Sequence, residues 1–378
     1  MRRMSFGGWL LSVAAVLGLA TTASAQDDLP FENFDLGESL FGEESSIDVG
    51  GWMQFGYHSD NDAVFNTHPG SLDLQQFNLF IEKVADGSEG LDWGGRMDVM
   101  YGTDAPNTQA FGNNPGNWDF QNGFDHGIYG FAIPQLYGEV AYEDLSVKVG
   151  HFYTLLGYQV VPATGNFFYS IPYTFNYSEA FTHTGVLATY KVNDDITAYG
   201  GWTLGWDTGY DQLGNGNSFL GGASLALTDD ISATFITTFG DLGWIGDGYS
   251  HSLVVDYNIN DDWEYVFQSD YISVNNSPNT KSGDYDTFGV NQYLFYNIAD
   301  DVRAGFRGEW WKADGISLYE VAFGLNLSPL NNLLIRPEVR YNWAAGSTQL
   351  PDVISGLGIP SDDIRDNAVF GVDAILTF

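Results

Sequence analysis

The chain reads as an all-β protein, a transmembrane antiparallel up-and-down β-barrel of about sixteen strands, with eighteen as the alternative count. Three observations predict it. The first is a recurring acidic pair between apolar runs: Asp194-Asp195, Asp229-Asp230, Asp261-Asp262 and Asp300-Asp301, with Glu143-Asp144 and Asn331-Asn332 as variants. Asp and Asn favour tight turns because their side chains bond nearby backbone. The acidic pairs recur roughly every 30 to 40 residues, room for two strands and one longer loop. Short turns at one end and long loops at the other are the asymmetry of bacterial outer-membrane barrels. The second is length: the runs span about 11 to 13 residues, whereas globular strands cluster near 5–6 and a tilted membrane strand needs ~9–11.

The third observation is alternation. In 261–273 the apolar set is Trp263, Tyr265, Phe267 and Tyr271, against Glu264, Gln268 and Asp270. In 300–312 it is Val302, Ala304, Phe306 and Trp310, against Arg303, Arg307 and Glu309. In 331–343 it is Leu333, Ile335, Val339, Tyr341 and Trp343, against Arg336, Glu338, Arg340 and Asn342. A soluble sandwich also alternates, so strand length decides that the apolar set faces lipid and the polar set faces a lumen. Rings at strand ends (Tyr57, Trp93, Tyr101, Tyr257, Trp263, Tyr271, Trp310, Tyr341, Trp343) read as interfacial girdles.

The predicted strands are 47–57, 72–84, 91–101, 134–143, 145–152, 183–191, 195–203, 217–227, 230–240, 248–258, 261–273, 283–296, 300–312, 315–327, 331–343 and 367–378. An even number puts both ends of the barrel on the short-turn side. Pro337 removes a ladder bond from its strand, which predicts a bulge that re-aims Arg336 or Arg340.

Residues 1–25 read as a secretory signal cleaved after Ala25: Arg2 and Arg3 start it, Leu10 to Ala20 form its apolar core, and Ala23-Ser24-Ala25 the cleavage site. Residues 26–46 are acidic and read as a flexible periplasmic lead-in, with a plug or partner-binding segment as the alternative. Residues 47–378 are the barrel. No later stretch reaches the ~20 apolar residues of a spanning helix, so the membrane must be crossed by strands. There are no cysteines, so an exported chain draws its stability from elsewhere than disulfides.

The formal charge is −36; without Arg2 and Arg3, 11 basic residues stand against 49 acidic ones. That balance excludes nucleic acid as a partner, since its recognition needs basic patches. No phosphate-cradling glycine loop and no nucleophile elbow occurs, and the six histidines lack metal-ligand spacing. The expectation is therefore no enzyme, no cofactor and no metal.

The last strand places Phe370, Val372, Ala374, Leu376 and Phe378 on one face, ending on an aromatic residue. That end resembles the recognition signal of outer-membrane barrels. Other segments carry a family resemblance: Gly51-Trp52-Met53-Gln54-Phe55-Gly56-Tyr57, Gln135-Leu136-Tyr137-Gly138-Glu139, and the stretch Gly150 to Gly185 with Gly157-Tyr158, Pro162, Asn166, Phe168-Tyr169-Ser170 and His183-Thr184-Gly185, followed by Gly200-Gly201-Trp202-Thr203. On these the chain resembles the beta-barrel porin-2 (OmpL-like) family across nearly all of 47–378. The resemblance implies an outer-membrane porin-like protein, exported through the periplasm, and hands over neither catalytic residues nor a defined solute.

The candidate pore-lining residues are Arg303, Arg307, Arg336 and Arg340, interleaved with Glu309, Glu320 and Glu338. Arginine facing lipid at the midplane costs ~2–4 kcal/mol, so these must face water. They read either as a basic wall that selects permeants by charge or as Arg–Glu pairs that hold neighbouring strands. The connection 153–182 is the second candidate. Glu179 is its one charge, among Tyr153, Phe167, Phe168, Tyr169, Tyr173, Phe175 and Tyr177. A loop in water is rarely so aromatic. Three readings stand: an inward constriction loop, by analogy with other sixteen-strand porins; a loop packed on a neighbouring subunit; or two short strands, which would make eighteen. Loops 102–133, 203–217 and 240–249 read as outer loops.

The function these features predict is passive diffusion of small hydrophilic solutes or ions, with outer-membrane lipids as surroundings and a homotrimer left open. The alternatives are a non-conducting structural or adhesin-like barrel and a secreted glycan-binding β-protein.

Overall fold

A computed structural model describes residues 34–42, 45–61, 64–210, 215–345 and 366–378. The signal segment, including Ala25, lies outside them. Sixteen strands close into one antiparallel barrel in which each bonds its sequence neighbour and the last bonds the first. They are β1 (Asp48–His58), β2 (Leu72–Lys83), β3 (Asp92–Gly102), β4 (Gly130–Tyr142), β5 (Leu145–Tyr153), β6 (Thr182–Asn193), β7 (Ile196–Trp206), β8 (Asn217–Ala226), β9 (Ile231–Asp241), β10 (Asp247–Asn258), β11 (Trp263–Asn275), β12 (Tyr285–Ala299), β13 (Val302–Ala313), β14 (Ile316–Leu330), β15 (Leu333–Ala344) and β16 (Asn367–Thr377). The sixteen predicted strands correspond to these one for one. Closure leaves no unpaired edge, which a bilayer requires.

The alternation resolves as the long runs require. Phe55, Ile81, Trp93, Val140, Val149, Trp202, Phe235, Phe323 and Val339 are exposed on the outer face. Seven of the girdle candidates (Trp93, Tyr101, Tyr257, Trp263, Tyr271, Trp310 and Tyr341) are exposed there too. The secreted glycan-binding reading is thereby overturned: its apolar faces would have to stack on one another.

Turn chemistry differs in one detail. At three of the four acidic pairs the tight end is capped by the residue before the pair, not by the pair itself; at Asp300-Asp301 that residue is Ala299, which has no polar side chain to cap with. Asn193 Oδ1 accepts from Asp195 N at 2.9 Å, Thr228 Oγ1 from Ile231 N at 3.0 Å, and Asn260 Oδ1 from Asp262 N and Trp263 N at 2.9 and 3.1 Å. The acidic side chains are left in solvent.

Three further expectations are corrected. β4 begins at Gly130, not 134, because Tyr101 and Gly102 of β3 go on pairing with Phe131 and Gly130. Pro337 makes no bulge: it pairs with Val372 in an unbroken register with β16, and its missing N–H falls on the β14 side, in the gap between the Gly324–Glu338 and Leu327–Ile335 pairs. Arg336 and Arg340 therefore keep one face. Part of the acidic lead-in is folded: Leu36–Phe41 is a short helix capped by Asp35, whose Oδ1 accepts from Glu38 N at 2.7 Å, and it packs against β1.

Candidate functional site

The connection Thr154–Phe181, between β5 and β6, contains a 3-10 turn (Ala163–Gly165) and one short helix (Tyr173–Ser178), and no strand. That removes the eighteen-strand alternative. Most of its residues are buried, and its partners lie all round the barrel. On β2, Gln76 Nε2 donates to Val161 O at 2.9 Å and Gln76 Oε1 accepts from Ala163 N at 3.0 Å. On β10, Ser252 Oγ accepts from Gly157 N at 3.1 Å. On β11, Gln268 Nε2 donates to Glu179 Oε1 at 2.6 Å. On β12 and β13, Asn291 Nδ2 donates to Thr174 Oγ1 at 2.8 Å and Trp311 Nε1 to Ser178 Oγ at 2.9 Å. One short segment can meet both β2 and β10–β15 of a closed ring only from inside it. The connection therefore lies within the lumen, not against a neighbouring subunit.

The charged wall of β13–β15 is its seat. Glu309 accepts from the N–H groups of Tyr173 and Thr174 at 2.8 and 2.6 Å and from Thr174 Oγ1 at 2.7 Å. Those N–H groups open the helix Tyr173–Ser178 and have no partner within it; Pro172 before them supplies no side-chain cap. Glu338 accepts from Tyr169 N and Ser170 N at 2.9 and 3.2 Å and from Ser170 Oγ. Arg307 donates to Ser170 O at 2.8 Å and Ser170 Oγ at 2.7 Å, while its Nε donates to Glu320 at 2.9 Å. Arg336 donates to Ala163 O and Asn166 O at 3.0 and 2.6 Å, and its Nε to Asp373 at 2.9 Å. Arg340 donates to Ile171 O and Asn342 Oδ1, both at 2.7 Å, with Glu320 at 3.8 Å.

These six charged side chains are buried, Arg307 at 0% exposure. A buried guanidinium is tolerable only when its charge is paired, and each of the three lies beside a carboxylate: Arg307 and Arg340 beside Glu320, Arg336 beside Asp373. Rings add contact: the Arg307 guanidinium lies 4.9 Å from the Phe168 ring centre and that of Arg340 5.0 Å from Tyr173. Inward glycines make room for the connection. A side chain at Gly305 would meet Phe167, and one at Gly289 would meet Thr174.

The seven predicted residues thus separate into two groups. Six sit beneath the connection. Arg303, whose side chain is 36% exposed, sits at its edge, paired with Glu264 on β11 and 5.8 Å from the Phe167 ring centre. Sequence reasoning missed Asp373, the partner of Arg336; it is the one acid of β16, on the face opposite Phe370, Val372 and Ala374. It also missed Gln76 and Trp311, which fasten the connection, placed Gln268 on the polar face without that role, and missed Arg96 on β3, which bonds Glu82 at 2.7 Å and Asp98 at 2.6 Å. Arg96 could have been found by applying the alternation test to 91–101.

The remaining inward wall is less covered. Glu82, Arg96, Tyr137, Glu139 and Lys148 are partly exposed, as are Tyr199, Ser224, Thr234 and Asp256. The ammonium of Lys148 lies 4.0 Å from the Tyr137 ring centre. At the long-loop end, Asp119 ties 103–129 together, accepting from Ala110 N at 2.9 Å and Ile133 N at 2.8 Å. Burial pushes its carboxyl up to about 6, against the pull of those two N–H groups. Burial, with Asp270 nearby, likewise holds the Glu179 carboxyl well above the ordinary carboxylate range. Among the described residues, no group of three or more His, Cys, Asp or Glu gathers in a way that could hold a metal ion.

A closed sixteen-strand barrel with an apolar outer face, a polar inner wall and an inward connection defines a porin-type outer-membrane protein. The chain belongs to the family described as "Putative beta-barrel porin-2, OmpL-like", whose model matches residues 46–378. No curated protein matches the sequence. Solved structures share the fold at low identity. An anion-selective porin from Comamonas acidovorans superposes with a TM-score of 0.61 at 12% identity, over 89% of this chain and 100% of that one. A mutant of the Rh. blastica porin gives 0.57 at 15% identity, over 88% and 100%. A loop-deletion mutant of OmpT, an outer-membrane protein of Vibrio cholerae, gives 0.57 at 11% identity, over 88% and 99%.

Proposed function

We propose that this barrel is a passive channel for small hydrophilic solutes and ions, and that the connection Thr154–Phe181 sets its narrowest part. The observation that carries the reading is the fastening of one connection to facing arcs of a closed wall, which leaves a partly exposed, polar inner surface on the short-turn half of β2–β9. In this reading Arg307, Arg336, Arg340, Glu309, Glu320 and Glu338 act through the connection they hold. Permeants meet Arg303 and the β2–β9 wall. No chemistry and no cofactor is called for: selectivity comes from width and from charge.

A second reading, a non-conducting barrel that serves as a structural anchor, is favoured by the extent to which the connection is buried. One measurement separates them. Purified protein in a planar bilayer is expected to give discrete, ohmic conductance steps. Glu309→Ala, which leaves the Tyr173 and Thr174 N–H groups unmet, is expected to enlarge or destabilise those steps. Silence from both proteins would reject the channel and leave the anchor.

A further inference from the structure

If solutes cross this barrel, only charges that solvent reaches can sort them, and the fold divides the inward charges into two sets. The covered set is Arg307, Arg336 and Arg340 with Glu309, Glu320, Glu338 and Asp373, all at most 5% exposed and committed to the connection or to each other, together with Asp98 and Asp270, which are buried and bonded to Arg96 and Gln268. The uncovered set lies on two arcs. On β2–β5, Glu82 and Glu139 stand against Arg96 and Lys148, with Arg96 shared between Glu82 and the buried Asp98. On β10–β13, Arg303 stands alone against Asp256 and Glu264, which lie beside it.

Arg303 also borders a cavity of about 670 Å³ at the short-turn end, lined by Asp261, Asp262, Asp300, Asp301, Asn297 and Asn326 among others. The four acids there are exposed to solvent. Four carboxylates and one guanidinium therefore line this mouth, and two further carboxylates, Asp256 and Glu264, lie beside that guanidinium. A concave, low-dielectric wall with one sign of charge concentrates the opposite ion and raises its rate of entry.

We propose that the lumen favours small cations over anions, and that Arg303 is the specificity-determining residue that limits the preference. The proposal rests on the channel reading above. It differs from a filter built of all four arginines, because three of them are sealed from the solution.

The test is the reversal potential of the full-length protein in a planar bilayer of zwitterionic lipid under a KCl gradient. The native protein is expected to reverse on the potassium side. Arg303→Gln is expected to move the potential further toward the potassium limit, and Arg303→Lys to keep it near the native value. Glu264→Gln and Asp256→Asn are expected to move it the other way. Arg340→Gln is expected to move it less than Arg303→Gln does. A native potential on the chloride side would overturn the proposal, as would a larger shift from Arg340→Gln than from Arg303→Gln. A measurable current of the wrong sign rejects only this inference, whereas no current from any protein rejects the channel itself.

Discussion

Glu309 and Glu338 do for the connection what a helix cap does within one element, but from a strand of the wall. Each collects two consecutive N–H groups and a hydroxyl of a segment that would otherwise bury them unmet. Such an unmet group costs about 1–3 kcal/mol, which explains acids on a wall that also needs its arginines paired. Gly305 works by absence: Phe167 fills the space where its side chain would be. Gly305→Leu is expected to displace Phe167 and unseat the connection, while the strand itself tolerates leucine. The check is proteolysis of the 154–181 segment in intact, membrane-embedded protein. The substitution should bring cleavage where the native chain resists it; equal resistance would deny Phe167 its anchoring role.

Asp119 gives a prediction about pH. Its folded-state value is raised to about 6, so the folded loop binds the proton more tightly than an open one. Loop stability should therefore rise as pH falls through that value toward the ordinary range near 3.9. Exchange protection at Ala110 and Ile133, corrected for the intrinsic pH dependence of exchange, should increase between about pH 7.5 and about pH 5. In Asp119→Asn the slope should shrink, leaving the part due to Asp104, whose carboxyl burial pushes up to about 7. Protection that falls with pH would reverse the assignment.

Among the elements, the hairpin ends were the most legible part of the sequence. The acidic pairs marked the tight turns of β6–β7, β8–β9, β10–β11 and β12–β13, although Asn193, Thr228 and Asn260 do the capping. Asn260→Ala is expected to cost about 0.5–1.5 kcal/mol, the ordinary net value of a hydrogen bond, while Asp261→Ala should cost little. Urea unfolding in detergent would rank the two, and an equal loss from both would put the cap on the acidic pair after all. Strand faces were legible wherever a polar–apolar period ran for ten residues. The start of β4 was less so: its first residues follow a long loop, and only the partner strand fixes where pairing begins. Pro337 misled because a proline costs a ladder bond only on the side its N–H faces, and a sequence does not state that side.

At the scale of the whole molecule, the barrel was legible and the seat of its connection was not. The barrel follows from a period of two, a local property. The seat depends on pairs far apart in sequence, such as Thr174 with Glu309 and Ser170 with Glu338. Nothing in the order of residues links a backbone N–H to an acid more than a hundred positions away. The inward glycines, with the rings of 167–177, were the available hint, since a glycine within a strand often marks a close approach. The arginines could be placed on the inner face from alternation alone, but whether they are wet or sealed depends on what covers them.

The last feature concerns the seam where β1 meets β16. Those strands come from opposite ends of the barrel sequence, so this ladder joins the residues that lie farthest apart along it. The connection touches both of its banks: Gln76 of β2 holds Val161 and Ala163, and Arg336 of β15 holds Ala163 and Asn166. Gln54 of β1 reaches Asp373 of β16 across the joint itself, at 2.7 Å. The enclosed segment thus serves as an internal clasp that ties together, from within, the strands on either side of the closing joint.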